Sequence, residues 1–174
     1  MPIQVLVLYD AYGQQITRLA QAIGEGVSQV EGVTAHLVHI KDAKREDLRE
    51  CEALVLGSPN WSGITGSMKS WLDSQGDLWE EGVLQGKVGA AFTTSRGRSS
   101  GVEFLLWTLL HWMLACGMII VGLPWSDRMR TSGSYYGATA HGQVTPEDED
   151  QGRALGRRVA EVALRLKASP HPAS

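Results

Sequence analysis

Three short segments of this chain gather the residue types that bind flat, anionic small molecules. The first, YDAYGQQIT (Tyr9 to Thr17), joins an apolar run to a helical pattern. Tyr12 and Gly13 allow a tight turn there, after which the backbone N–H groups from Gly13 to Ile16 point out of a helix start, which is the geometry of an anion site. Ordinary strand-to-helix turns have the same parts, so this segment by itself names no ligand. The second, SPNWSGITG (Ser58 to Gly66), sets an aromatic residue among amides and hydroxyls where a flat ring could lie. The third, TTSRGRSSG (Thr93 to Gly101), supplies hydroxyls, glycines and two arginines, Arg96 and Arg98.

Other chemistries fail when checked in place. GVLQGK (Gly82 to Lys87) is one residue short of a phosphate-binding P-loop, lacks the Ser or Thr after Lys, and precedes an apolar run instead of following one. No G-x-G-x-x-G follows the first apolar run, so the dinucleotide signature is missing, and no G-x-S-x-G marks a nucleophile elbow. His36 and His39 stand three apart in an alternating segment, where odd offsets face opposite sides, so they cannot share one metal. Cys116 lies in an apolar run with no activating base beside it, the setting of an inert buried thiol.

The elements that must position the three segments follow from hydrophobic spacing. Four continuous apolar runs, Ile3 to Tyr9, Ala53 to Gly57, Val88 to Thr94 and Met118 to Gly122, are the mark of strands covered on both faces, as in a parallel sheet. Val33 to Ile40 alternates and suits an outer strand. Between them, apolar residues recur at helical spacing: Ile16, Leu19, Ile23, Val27 and Val30; Met68, Trp71 and Leu72; Leu105, Leu109 and Trp112; Leu155, Val159, Val162 and Leu166. The last helix starts with Thr145 as N-cap, Pro146 at its first position and the acidic Glu147 to Asp150 against the positive end of the dipole. Strand and helix alternate five times, so the expected fold is α/β, a doubly wound five-stranded parallel sheet with helices on both faces. In such a sheet ligands sit at the carboxyl ends of the strands, which brings the three segments to one edge.

Composition narrows the class. With 174 residues, 43% hydrophobic, 20% charged and a net charge of −3, the chain reads as one domain over residues 1–167, followed by a two-proline tail at 168–174 expected to be disordered. Its 16 Lys and Arg form no basic block, which argues against nucleic acid. Two cysteines, Cys51 and Cys116, in no ligand spacing, fit a reducing, cytoplasmic compartment. Phe104 to Val121 approaches the length of a membrane span, but Thr108, His111 and Gly117 interrupt it, and a buried helix followed by a buried strand explains the pattern better.

The residues also carry a resemblance. VLVLYDAYG (5–13), GSPNWSG (57–63), MKSWLD (68–73), GDLW (76–79), LQGKVGAAFTTS (84–95), GMIIVGLPW (117–125) and SYYGA (134–138) resemble, in order and spacing, the flavodoxin-like superfamily. Within it the chain is most similar to WrbA-type (tryptophan-repressor-binding protein) NAD(P)H:quinone oxidoreductases. The resemblance implies sheet order 2-1-3-4-5 and bound FMN. By position, Tyr12, Gly13, Gln14 and Gln15 would hold the phosphate, and Pro59, Asn60, Trp61, Ser62 and Gly63 would flank the ring. Thr93, Thr94, Ser95, Arg96, Gly97 and Arg98 would line its other edge and the ribityl chain. Tyr12 and Trp79 would wall the substrate side, Trp79 from the same or a neighbouring subunit; as a plain packing residue, Trp79 would instead close the third helix.

The chain departs from that pattern at three places. Asp10 stands where the family carries a Ser or Thr on the FMN phosphate; its carboxylate either repels the phosphate or turns away into the hydrogen bonds of the turn. Ala115 and Cys116 replace a His pair. The stretch between Ile40 and Cys51 is shorter than the family's, which leaves the homo-oligomer, dimer or tetramer, open. The function the resemblance implies is transfer of two electrons from NAD(P)H through FMN to a quinone-type acceptor. No protein residue is cast as a catalytic acid, because the cofactor carries the chemistry. A flavodoxin electron carrier, and a flavin-free binding or regulatory protein on the same fold, are the alternatives; strong acidity, typical of carriers, is missing.

Overall fold

The computed structural model describes residues 3–168. The run IQVLVLY forms β1 (Ile3–Tyr9), with Val5 and Val7 buried on one face and Leu6 and Leu8 on the other. The strands β2 (Val33–His39), β3 (Ala53–Pro59) and β4 (Val88–Ser95) join it in a parallel sheet, with β5 (Ile119–Ile120) at the edge, in the order β2-β1-β3-β4-β5. Successive strands fan out to opposite sides of β1, so the switch point lies between β1 and β3.

Helices cover both faces. On one, α1 (Gln14–Ser28) and α6 (Pro146–Ala168) pack Ile16, Leu19, Ile23, Leu155 and Val159 over Val5, Val7 and Val55. On the other, α2 (Arg45–Glu50), α3 (Gly66–Asp73), α4 (Gly76–Glu80) and α5 (Val102–Ala115) bury Leu48, Met68, Leu72, Leu78, Leu105 and Leu109 against Leu6, Leu54 and Leu56. The start of α6 forms as its sequence signals require: the Asp148 N–H donates to Thr145 Oγ1 at 3.3 Å, and the Thr145 N–H returns to Asp148 Oδ2 at 3.0 Å.

The expected fifth strand needs correction. Of Met118 to Gly122 only Ile119–Ile120 pairs, against Val88 and Gly89. The chain then leaves the sheet and returns as a sixth strand, β6 (Gly137–His141), which pairs with Ala91 to Ser95 further along β4. One edge position is thus shared by two short strands around an excursion, 121–136. Its neck is closed by the Leu123 N–H on the Tyr135 carbonyl at 3.0 Å. Gly122 is needed there because a Cβ would stand 2.1 Å from that carbonyl oxygen. β6 escaped notice because GATAH offers small residues and no apolar run, although Ala138 and Ala140 are fully buried.

The helix expected to be buried, α5, is buried on one side only: Leu105, Leu106, Leu109 and Met113 face the sheet, while Phe104 is 82% exposed and Trp107 54%. No helix among the described residues is long and apolar enough to cross a membrane. Of the tail expected from 168 onward, Ala168 is the last residue of α6, and 169–174 lie outside the described residues.

Candidate functional site

The carboxyl ends of β1, β3 and β4 bring the three segments together. Gly13 takes φ +92°, a conformation glycine adopts without penalty, and turns the chain into α1. No side chain among the described residues caps this helix start, and its first turn carries no acid. The first N–H groups of a 15-residue helix are therefore left with the positive end of its dipole. A Cβ placed on Gly13 would meet nothing within 4 Å, so the turn is open on that side. The side chain of Gln15 is not free for that opening, since its Oε1 accepts the Val144 N–H at 2.7 Å.

Asp10 is 4% exposed, and its carboxylate is committed sideways. Oδ2 accepts from Thr65 Oγ1 at 2.5 Å and from Ser67 Oγ, while Oδ1 lies 3.6 Å from His39 Nε2. Of the two alternatives for Asp10, the turned-away one applies, but its partners are hydroxyls at the start of α3 and not the turn's own N–H groups. Thr65 also caps α3 by accepting the Met68 N–H at 3.2 Å, so one carboxylate ties the first segment to the second.

The second segment is held by Asn60. Its Oδ1 accepts the Gly63 N–H at 2.9 Å, and its Nδ2 donates to the Ser100 carbonyl at 2.7 Å, clamping the second segment to the third. Ser62 sits at φ +57°, a left-handed turn that leaves Trp61 projecting, 63% exposed. The Trp61 ring meets Tyr12 edge to face, with centroids 5.3 Å apart. Pro59 closes β3 behind them.

In the third segment, Thr93 is fully buried and donates to the Ser58 carbonyl at 2.7 Å, so its side chain braces the site from inside and does not line it. Ser95 Oγ is within hydrogen-bond distance of the Gly97 carbonyl and of His141 Nδ1, both at 2.8 Å. Arg96, Gly97 and Arg98 are exposed. Burial holds His141 below the ordinary histidine range, with Arg98 and Arg128 pushing the same way against the Gly97 carbonyl and Asp148. Sequence reasoning missed Thr65, Ser67 and His141 as neighbours of the site. A lone histidine at the end of an unnoticed strand gave no signal, whereas Thr65 stood within the second segment.

Trp79 is not brought to this edge. It belongs to α4, and its Nε1 donates to the Ala115 carbonyl at 2.5 Å, where α5 ends and the chain enters β5, at the amino ends of β4 and β5. A larger apolar cavity of about 470 Å³, lined by Leu123, Met129 and Ala154, also lies away from the three segments, between the excursion and α6.

Residues 14–127 match the family model described as NADPH-dependent FMN reductase. The chain belongs to that family. It is 42% identical over 135 residues to an NAD(P)H dehydrogenase (quinone) of Archaeoglobus fulgidus, covering 77% of this chain and 71% of that protein. An enzyme of the same description from Solidesulfovibrio magneticus is 34% identical, covering 94% of this chain and 98% of that one. A flavodoxin of Aquifex aeolicus is 33% identical over 91% of this chain and 85% of its own. Among solved structures, a flavodoxin, WrbA-like protein from Agrobacterium tumefaciens superposes with a TM-score of 0.75 at 22% identity, covering 95% of this chain and 99% of that one. This chain, with its sheet in the order 2-1-3-4-5, shares its fold with that structure.

Proposed function

We propose that this chain binds FMN across the three segments and transfers two electrons from NAD(P)H to a quinone-type acceptor. The observation that carries the reading is the uncapped start of α1 with its turn open at Gly13, beside an exposed Trp61 on a clamped loop. The N–H groups from Gly13 to Ile16, including those of Gln14 and Gln15, hold the phosphate, because a helix start with free donors stabilises an anion. Pro59, Trp61, Ser62 and Gly63 flank the flavin ring, and Asn60 fixes that loop at a set distance from Ser100. Thr94, Ser95, Arg96, Gly97 and Arg98 line the other edge, where the arginines stabilise negative charge. Thr93 and Asp10 support the frame from behind. When bound, FMN supplies the redox chemistry, and the protein supplies binding, orientation and an open ring face.

Trp79 serves the substrate side of a neighbouring subunit in a homo-oligomer, since it cannot reach its own chain's cleft. The bare face of α5, with Phe104, Trp107 and Leu114, is the surface for that second copy. Its compartment is the cytoplasm, in keeping with two buried free thiols, and nucleic acid is not a partner.

An FMN titration read by fluorescence quenching and by thermal midpoint, followed by anaerobic mixing with NADPH and then NADH, tests the reading. Bound flavin should be bleached by a donor and restored by benzoquinone, with ping-pong kinetics because both substrates use one ring face. A flavin-loaded protein left oxidised by both donors sinks it. The flavodoxin relative motivates the carrier alternative, which requires slow reduction by NAD(P)H and fast reduction by a reductase or dithionite.

A further inference from the structure

Beside the third segment, a cavity of about 340 Å³ opens between Arg98 to Phe104 and the part of the excursion from Met129 to Gly133, with His141 also in its lining. Its lining includes two arginines, Arg98 from the third segment and Arg130 from the excursion. Their present partners are weak. Arg98 Nη1 reaches the Thr131 carbonyl at 3.4 Å, near the limit of a hydrogen bond. Arg130 pairs at 3.3 Å with Asp127, both well exposed, and lies 5.5 Å from the centre of the Trp125 ring; such a surface pair contributes little and exchanges readily. Each guanidinium therefore keeps open donors in the planar fork that matches a phosphate.

The lining contains one carboxylate, Glu103, whose Oε1 is already engaged by Ser134 Oγ at 2.8 Å. Burial holds His141 below the ordinary histidine range, which favours its neutral form. The wall keeps a net positive charge, and Ser132 adds an enclosed hydroxyl with no partner among the described residues. The volume exceeds what an inorganic anion needs and suits a phosphate carried on a sugar.

We infer that this cavity receives the ribose 2′-phosphate of NADPH, making Arg98 and Arg130 the residues that select the phosphorylated donor. The inference rests on the proposed reductase function, since it is that reading which brings a dinucleotide to the neighbouring ring face. It extends that reading, because donor choice is then set by the excursion that splits the fifth strand position and not by the flavin loops alone.

The test separates the two layers. Isothermal titration of the full chain, with and without added FMN, compares adenosine 2′,5′-bisphosphate with adenosine 5′-monophosphate. The bisphosphate should bind at least tenfold tighter, and Arg98→Ala with Arg130→Ala should bring the two within about twofold while the thermal midpoint holds. Equal affinities in the unaltered protein, or a preference that survives both substitutions, overturn the inference. In turnover, the ratio of kcat/KM for NADPH over NADH should fall about tenfold in R130A. An equal loss for both donors means the arginine serves the shared pyrophosphate, and also overturns it. A protein that prefers the bisphosphate yet oxidises neither donor refutes the reductase function and leaves the phosphate site standing.

Discussion

Replacing Asp10 sets two effects of opposite sign against each other. Its carboxylate accepts two hydroxyl hydrogen bonds, from Thr65 and Ser67, while being buried to 4% exposure. Hydrogen bonds to a charged acceptor contribute about 1.5–3 kcal/mol each, against about 0.5–1.5 for neutral ones. Asp10→Ser removes both and should destabilise the apoprotein by ~3 kcal/mol; at this chain length that lowers the thermal midpoint by about 6–12 °C. Asp10→Asn keeps the shape and two weaker bonds, so its loss should be about 1–2 kcal/mol. For FMN the sign reverses. A phosphate charge roughly 7 Å away, the span of a tight turn, is opposed by the carboxylate by ~2 kcal/mol at an effective dielectric near 20. D10N should therefore bind FMN about 10- to 30-fold more tightly in a fluorescence titration at low salt, with the gain shrinking as salt rises. If D10N binds FMN no better than the unaltered chain, the carboxylate is not felt at the cradle. If D10S melts unchanged, the hydroxyl pair does not hold α3 to the first loop.

Trp61→Ala should cost less than about 1 kcal/mol of stability, because the ring is 63% exposed, while slowing quinone turnover at least tenfold; parallel losses would make it a packing residue. Burial pushes the Cys51 thiol up to about 11, so in the folded protein it keeps its proton while an unfolded chain loses it from about pH 9. Stability should accordingly fall by ~3 kcal/mol between pH 9 and 11, and urea titrations of Cys51→Ala should show a shallower decline. Arg128→Ala strands Asp148, which is 1% exposed, and should destabilise by about 2–4 kcal/mol, with Asp148→Asn in the same background recovering part of it. Trp107→Glu, on the bare face of α5, should shift sedimentation toward the monomer and lower quinone turnover; an unchanged sedimentation coefficient rejects that face as the contact.

The continuous apolar runs made β1, β3 and β4 legible, because their shortness and the turn residues that bound them favour strands covered on both faces over helices, and their carboxyl ends located the three segments. The split edge was not legible, since β5 is held by two residues and β6 by alanines that carry no β preference. α2 was missed for a related reason: its single buried residue, Leu48, gives no period to detect. Among site residues, position along the chain was readable but side-chain direction was not. Thr93 and Thr94 are neighbours on one strand, and a period of two sends Thr93 inward to Ser58. Gln15 belongs to the phosphate turn, yet its amide is spent on Val144. Asp10 could be recognised as out of place, but its partners Thr65 and Ser67 lie more than fifty residues on and become neighbours only through the β1–β3 pairing.

The placement of Trp79 and the exposure of α5 belong to one argument. A 14-residue helix that buries Leu105, Leu106, Leu109, Leu110 and Met113 needs nothing more to hold it to the sheet. Phe104, Trp107 and Leu114 recur on its opposite face at helical spacing, and the Trp107 ring meets Tyr136 with centroids 5.7 Å apart, so the apolar surface continues onto the neck of the excursion. Burying a large apolar side chain contributes about 1.5–3 kcal/mol, so these three partly to largely exposed ones on each of two copies supply roughly 5–11 kcal/mol. That lies within the 4–15 kcal/mol estimated for the lost freedom of association, so the patch alone is marginal. The 56%-exposed Trp79 and the 43%-exposed Ile119, both at the end of α5 nearest β5, are what an extended contact would add. The same ring that lies too far from its own cleft is thereby the one best placed to be covered by a neighbour.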